Sequence, residues 1–271
     1  MRLLLGQLAP APGEVETNVA RIAAAVRAER SDLAIFPELF LSGYRVGDRF
    51  HALAVRDGDA TLAQLRAVAR EARTTIVVGA PLAGRGRAGE LANAAVAIRP
   101  DGEVHTQVKR YLPNFGPFEE GVHFTPTEES APVPLAGHSI GLEICYDVFF
   151  PEVARSLALA GAELLVVLSA SPVTSGRLFA RLLPARAIEN AVPVVFVNRV
   201  GVEDGAVFGG GSGIWDARGE VVATRTVPFG GGPPEEALLY AEVDLAEAAR
   251  WRPFRPVLRD LATRPTTASP G

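Results

Sequence analysis

The chain has 271 residues, 48% of them hydrophobic, enough to bury a substantial core as one domain. A formal net charge of −4, with no basic block or stripe, leaves no case for nucleic acid or an anionic membrane as partner and favours small-molecule chemistry. A single cysteine excludes an intrachain disulfide and a cysteine-rich zinc site, and His51, His105, His123 and His138 lack metal-ligand spacing, so no metal and no cofactor are expected. The opening apolar run is broken by Gln7, Pro10 and Pro12 before it could form a signal-peptide core or a membrane span, and a cytoplasmic location is the expectation.

In chain order, 2–9 is predicted as a buried strand and 14–30 as a helix, on the spacing of Val15, Val19, Ile22, Ala23 and Val26. A strand over 32–36 runs into PELFLSGY. This leaves Glu38 where strand becomes loop, among Phe36, Pro37, Leu39, Phe40 and Leu41, a partly desolvated carboxylate suited to a general base or, more blandly, a loop glutamate. A helix is predicted over 60–72, a strand over 74–79 and an exposed turn in GRGRAGE, 84–90. Strands over 91–98 and 103–108 are joined by the Pro100-Asp101-Gly102 turn. Lys109 follows directly. It is the one lysine among 27 basic residues, and a primary amine is a compact, titratable charge that a guanidinium cannot imitate. The loop LPNFGPFEEGVHF comes next, dense in proline, glycine and aromatics and carrying Phe115, Glu119 and Glu120; loops of this kind often line sites.

The stretch GLEICYDVFFPE, 141–152, is the centre of the chain. Ile140, Leu142 and Ile144 alternate with Gly141, Glu143 and Cys145, so the only cysteine ends a strand. Asp147, a candidate cap, and Pro151 precede a helix over 152–160. A thiol at such a junction is expected near free N–H groups and a helix's positive end, which lower its pKa and favour thiolate. The bland alternative is a small buried hydrophobe. Glu143 shares the strand face of Cys145 and either borders a site or pairs with an arginine. Strands over 162–168 and 192–197 enclose a helix over 176–190, and this alternation argues for an α/β layered fold. Antiparallel strands over 207–215, 220–225 and 238–243 follow, with turns at 216–219 and 229–234, and 251–271 reads as a tail on the surface or on a partner.

Gly137-His138-Ser139-Ile140-Gly141 matches the G-x-S-x-G elbow of serine hydrolases, but a proline-broken loop precedes Ser139 and a strand follows, the reverse of what an elbow needs. FGGGSG, 208–213, lacks the Lys-Ser/Thr ending of a phosphate loop and reads as a turn or bulge.

Taken in order, PELFLSGY, the strand-terminal Lys109 with LPNFGPFEE, ICYDVFFPE, ARAIENAVPVVFVNRVG and FGGGSGIWDARGEVV resemble the nitrilase superfamily of carbon-nitrogen hydrolases over about residues 1–245. The resemblance implies a four-layer α-β-β-α sandwich as one domain over 1–250, with the 251–271 tail crossing to a partner in a homodimer or higher homo-oligomer. It implies a catalytic set of Glu38 as base, Lys109 as oxyanion stabiliser, Cys145 as nucleophile and Glu120 as a second glutamate orienting the lysine, with the backbone N–H of Tyr146 completing the oxyanion site. Tyr44, Phe115, Tyr146, Phe149 and Ser169 are the pocket candidates. LPNFGPFEE is similar to the glutaminase domain of glutamine-dependent NAD synthetase, whereas CYDVFFPE is the form of free-standing amidases, and no synthetase segment is expected after residue 271. Amide hydrolysis is thus ranked before N-carbamoyl hydrolysis and nitrile hydrolysis, with a serine esterase on Ser139 and an acyl transferase as the remaining alternatives.

Overall fold

A computed structural model describes residues 1–84, 90–116, 118–224 and 234–263. The first half runs β1 (Arg2–Gln7), α1 (Val15–Ala28), β2 (Leu33–Ile35), α2 (Phe50–Leu53), α3 (Ala60–Ala72), β3 (Thr75–Ala83), β4 (Leu91–Ile98), β5 (Val104–Val108) and α4 (Glu120–His123). The second half runs β6 (Val133–Leu135), β7 (His138–Ile144), α5 (Pro151–Leu159), β8 (Leu164–Ser169), α6 (Gly176–Asn190), β9 (Val194–Asn198), β10 (Val200–Glu203), β11 (Ala206–Gly209), β12 (Gly213–Trp215), β13 (Val221–Thr224), β14 (Ala237–Glu242), α7 (Leu245–Trp251) and α8 (Val257–Ala262).

These elements make two six-stranded sheets, β14-β1-β2-β3-β4-β5 and β13-β12-β9-β8-β7-β6, and a separate β10–β11 hairpin. Each sheet has a parallel three-stranded centre (β1-β2-β3 and β7-β8-β9), one antiparallel strand on one side and an antiparallel pair on the other. Strand side chains alternate between faces, so a strand covered on both sides must be apolar at every position. The central strands follow this through their middles, except at the buried Glu143 of β7. Leu4 and Ala34 point into a core shared with Ile22 and Val26 of α1 and Leu62 and Leu65 of α3. Leu3, Leu5, Leu33 and Ile35 point the other way and meet Ile140, Leu142, Ile144, Val166 and Leu168 between the sheets. Leu165 and Val167 face Val153 and Leu157 of α5 and Leu183 of α6. The result is the four-layer α-β-β-α sandwich.

The expected 207–215 strand is two. Gly209 and Gly213 lie in different β units, and between them Ser212 donates its N–H to Gln7 Oε1 while Gly210 accepts from Asn198 Nδ2, so the glycine-rich segment ties the hairpin to both sheets. The 74–79 strand continues to Ala83 through Pro81, because β2 pairs with β3 only as far as Val77 and the proline nitrogen faces no β2 partner. Most of GRGRAGE and of the 229–234 turn lies outside the described residues. The described part of the tail includes a helix: α8 packs on α6 of its own chain, and Leu258 joins the α5–α6 core. Among the described residues no helix is long and apolar enough to cross a membrane.

Candidate active site

The site forms where strands of the two sheets stop. Glu38 follows β2, Lys109 follows β5, Cys145 follows β7 and Ser169 ends β8. Glu38 reaches its place because Gly79 of β3 is bare. A Cβ at Gly79 would stand 2.4 Å from Glu38 Cα, and the loop docks there through Gly79 N–H to Pro37 O (3.0 Å) and Leu41 N–H to Gly79 O (3.2 Å).

Lys109 is fully buried, and its Nζ lies 2.6 Å from Glu38 Oε1 and 2.7 Å from Glu120 Oε1. Asn93 Nδ2 donates to both carboxylates, at 2.8 Å to Glu38 Oε1 and 3.2 Å to Glu120 Oε2. The other Glu38 oxygen accepts the Ala170 N–H at 2.8 Å, across the gap between the sheets. The Tyr44 phenol donates to Glu120 Oε1. Burial alone would lower the Lys109 pKa, but Glu120 and Glu38 outweigh it and hold the ammonium charged. Burial raises the Glu120 pKa, with the Lys109 charge opposing.

Cys145 sits at φ 47°, in the left-handed region that a residue with a Cβ rarely adopts. Asp147 holds that turn. Its Oδ2 accepts the Ile144 N–H (3.0 Å), and its Oδ1 accepts the N–H groups of Arg110 (3.1 Å) and Tyr111 (2.9 Å), so one carboxylate fastens the backbone after Lys109 to the backbone before Cys145. Asp147 therefore does cap a turn, though a one-turn 3-10 segment, 145–149, rather than α5. The same segment overturns the expected low thiol pKa. α5 begins only at Pro151, and loss of hydration together with the Glu38 charge pushes the thiol well above its ordinary value, against the pull of Lys109 and of Ser169, whose Oγ donates to Sγ at 3.3 Å. Cys145 stays partly accessible.

Of the expected pocket residues, Tyr44 and Ser169 thus touch the polar cluster directly. Phe115, Tyr146 and Phe149 form a ring series beside Cys145, with centroids 5.3 Å apart for the first pair and 5.4 Å for the second; Phe115 is 52% exposed and Phe149 also backs onto Phe179. Glu119 is exposed, while Glu120 beside it is buried. Glu143 is buried on the helix side of β7, unpaired at Oε2, with its pKa raised to about 8 by burial and the nearby Asp147. Ser139 lies on β7, six residues before Cys145 and roughly 20 Å from it along the strand direction, and its neighbour His138 projects from the opposite face and so does not pair with its hydroxyl. Two participants were not foreseen. The Ala170 N–H has no signature in sequence, whereas Asn93 does: it is the lone polar side chain in LANAAVAI, and a polar group in a two-sided buried strand needs partners. Among the described residues no group of three or more His, Cys, Asp or Glu is placed to hold a metal ion.

A partly accessible cysteine, a buried lysine and two buried glutamates thus meet where strands of the two sheets stop, Glu120 reaching them from the start of α4. The chain belongs to the carbon-nitrogen hydrolase family, whose model matches residues 4–253, and so to the enzymes that hydrolyse carbon–nitrogen bonds other than peptide bonds. It is 34% identical over 259 residues to a glutamine-dependent NAD(+) synthetase of Thermotoga maritima, covering 92% of this chain but only 43% of that one. It is 35% identical over 225 residues to an (R)-stereoselective amidase of a Pseudomonas species, covering 82% of this chain and 80% of that one. Its structure matches, with a TM-score of 0.77, 29% identity and coverage of 94% and 95%, a variant of the amidase from Nesterenkonia sp. AN1 that carries the acetamide moiety of fluoroacetamide on its active-site cysteine.

Proposed function

We propose that the protein hydrolyses a small non-peptide amide through a cysteine thioester and releases ammonia or an amine. The observation that carries this reading is the closed network of Glu38, Lys109 and Glu120 beside a cysteine held at positive φ. The thiol is neutral at rest, so its proton must leave as the bond to carbon forms. Glu38 accepts that proton while Sγ attacks the carbonyl carbon, and the carbonyl electrons collect on oxygen. Two of the three Lys109 protons are committed to Glu38 and Glu120; the third, with the Tyr146 N–H, stabilises the oxyanion in a site too dry for water to do so. The C–N bond then breaks, and the amine departs with the proton from Glu38. Water gives a proton to the same carboxylate and attacks the thioester, and the proton returns to sulfur. Phe115, Tyr146 and Phe149 wall the acyl side.

An amide is favoured over a nitrile or an N-carbamoyl compound because the chain resembles both an amidase and a glutamine-dependent enzyme, each named for amide chemistry. The test is ammonia release from a panel of primary amides, N-carbamoyl amino acids and nitriles by the wild type and by Cys145→Ala. Release from amides by the wild type alone is expected. Equal release by the alanine variant would overturn the mechanism, and release from nitriles or N-carbamoyl compounds alone would overturn the substrate class.

A further inference from the structure

The β10–β11 hairpin carries a buried ion pair outside the catalytic network. Arg199, 1% exposed, pairs through Nη1 with Glu203, and its guanidinium lies 4.0 Å from the centroid of the Phe208 ring. Two charges taken out of water are tolerated only when their remaining hydrogen-bonding capacity is filled. Glu203 fills its own with main chain: Oε1 accepts the Arg45 N–H at 2.7 Å and Oε2 the Tyr44 N–H at 3.2 Å. Gly43 makes room for this contact. Its φ is 85°, and a Cβ there would stand 2.9 Å from Glu203 Oε1. Phe208 presses on the same residue from the side, with its ring centroid 6.0 Å from that of Tyr44. The hairpin therefore holds Tyr44 by backbone and by ring, while the Tyr44 phenol donates to the Glu120 oxygen that also receives Lys109.

We propose that Arg199 and Glu203 are positioning residues for the reaction: their ion pair fixes the 43–45 turn so that Tyr44 keeps its hydrogen bond on Glu120 and holds that carboxylate as the anion opposite Lys109. The proposal rests on the roles given above to Glu38, Lys109, Glu120 and Cys145. Glu120 is faced by Lys109 beyond β5, Glu38 beyond β2, Asn93 of β4 and Tyr44, with Glu119 and His123 in its own segment. Of these, Tyr44 and Lys109 favour the ionised form and Glu38 opposes it. Losing the phenol contact makes Glu120 take up a proton at higher pH, which weakens the lysine's anchorage and moves the acid limb of Cys145 reactivity upward.

Because Cys145 is the only thiol, its alkylation by iodoacetamide, followed by intact mass across the acid and neutral range, reads the site without knowledge of the substrate. Glu203→Gln removes the charge opposite Arg199 and presents an amide N–H₂ to one of the two backbone donors. It is expected to slow alkylation at neutral pH about tenfold or more, to move the acid limb to higher pH as Tyr44→Phe does, and to add nothing further when combined with Tyr44→Phe. Arg199→Met with Glu203→Met replaces the pair by apolar groups, avoids leaving a lone buried charge, and is expected to show the same shift. An unshifted limb in these variants, or losses that add to that of Tyr44→Phe, would reduce the pair to a packing element and overturn the proposal. If instead Glu38→Gln is alkylated like the wild type, the underlying Glu–Lys–Cys reading fails, an outcome read independently of Glu203.

Discussion

Lys109 is surrounded by groups that need its charge more than it needs theirs. Removing it leaves Glu38 and Glu120 facing each other in a dry site, and breaking a buried pair in this way costs about 3–5 kcal/mol. Lys109→Met is therefore expected to be inactive and to show a lower urea midpoint, whereas Glu120→Gln should lose activity with a smaller loss of stability because the Lys109–Glu38 contact survives. Glu143 makes the opposite case. Its pKa rises from the ordinary 4.5 to about 8 on folding, so between those values the folded chain binds more protons than the unfolded chain. Stability then falls as pH rises through that window, by up to about 1.4 kcal/mol per pH unit, and levels off above it. Glu143→Gln should flatten this slope and be more stable than the wild type above the upper end of the window, at about pH 8, as urea midpoints at acid and alkaline pH would show. Glu38, Lys109 and Cys145 stood out in the sequence because each is a reactive side chain at a predicted strand end, whereas Glu120, inside a loop, was marked out only by the family resemblance. Arg199, Glu203 and Ala170 did not, since an arginine after a strand and an alanine N–H acquire meaning only from what the fold places opposite them. The elevated thiol pKa was likewise hidden: it depends on how far α5 starts from Cys145 and how dry the sulfur is, not on residue order.

The elements were legible where one rule governed them. Helices α3 and α6 have the bounds predicted for them, 60–72 and 176–190, even with Pro184 inside α6. Where backbone approach decides, the sequence was silent. Nothing in TIVVGAPLA announces that Gly79 is the floor under Glu38, yet any side chain there would collide with main chain rather than with a yielding side-chain tip. Gly79→Ala is accordingly expected to shift the 37–41 loop, cost about 1–3 kcal/mol and lower kcat far more than a change of that size elsewhere, with steady-state kinetics and thermal unfolding as the checks. The 207–215 segment misled for a related reason: alternation cannot tell one strand from two that change partner sheet at a glycine run.

At the scale of the molecule, Glu38 and Lys109 come from one sheet and Cys145 from the other, and the two follow the same plan, so the candidate site exists only when both are assembled. β14 contributes to this from the far end of the sequence by pairing with β1 along its whole length, Arg2 to Gln7 against Glu242 to Ala237. A chain cut before Ala237 would leave β1 as an open edge of an apolar sheet and is expected to aggregate, as size-exclusion chromatography would reveal. The burial of the single lysine has a further outcome for the surface as a whole. Apart from the amino terminus, the chain presents no primary amine to solvent, and its positive charge outside the site is carried by arginine. Aldehyde crosslinkers, reducing sugars and activated esters, which all need an unprotonated and reachable amine, should therefore leave the folded protein almost unmarked and modify Lys109 only once it has unfolded, so that lysine labelling becomes a direct count of unfolded molecules.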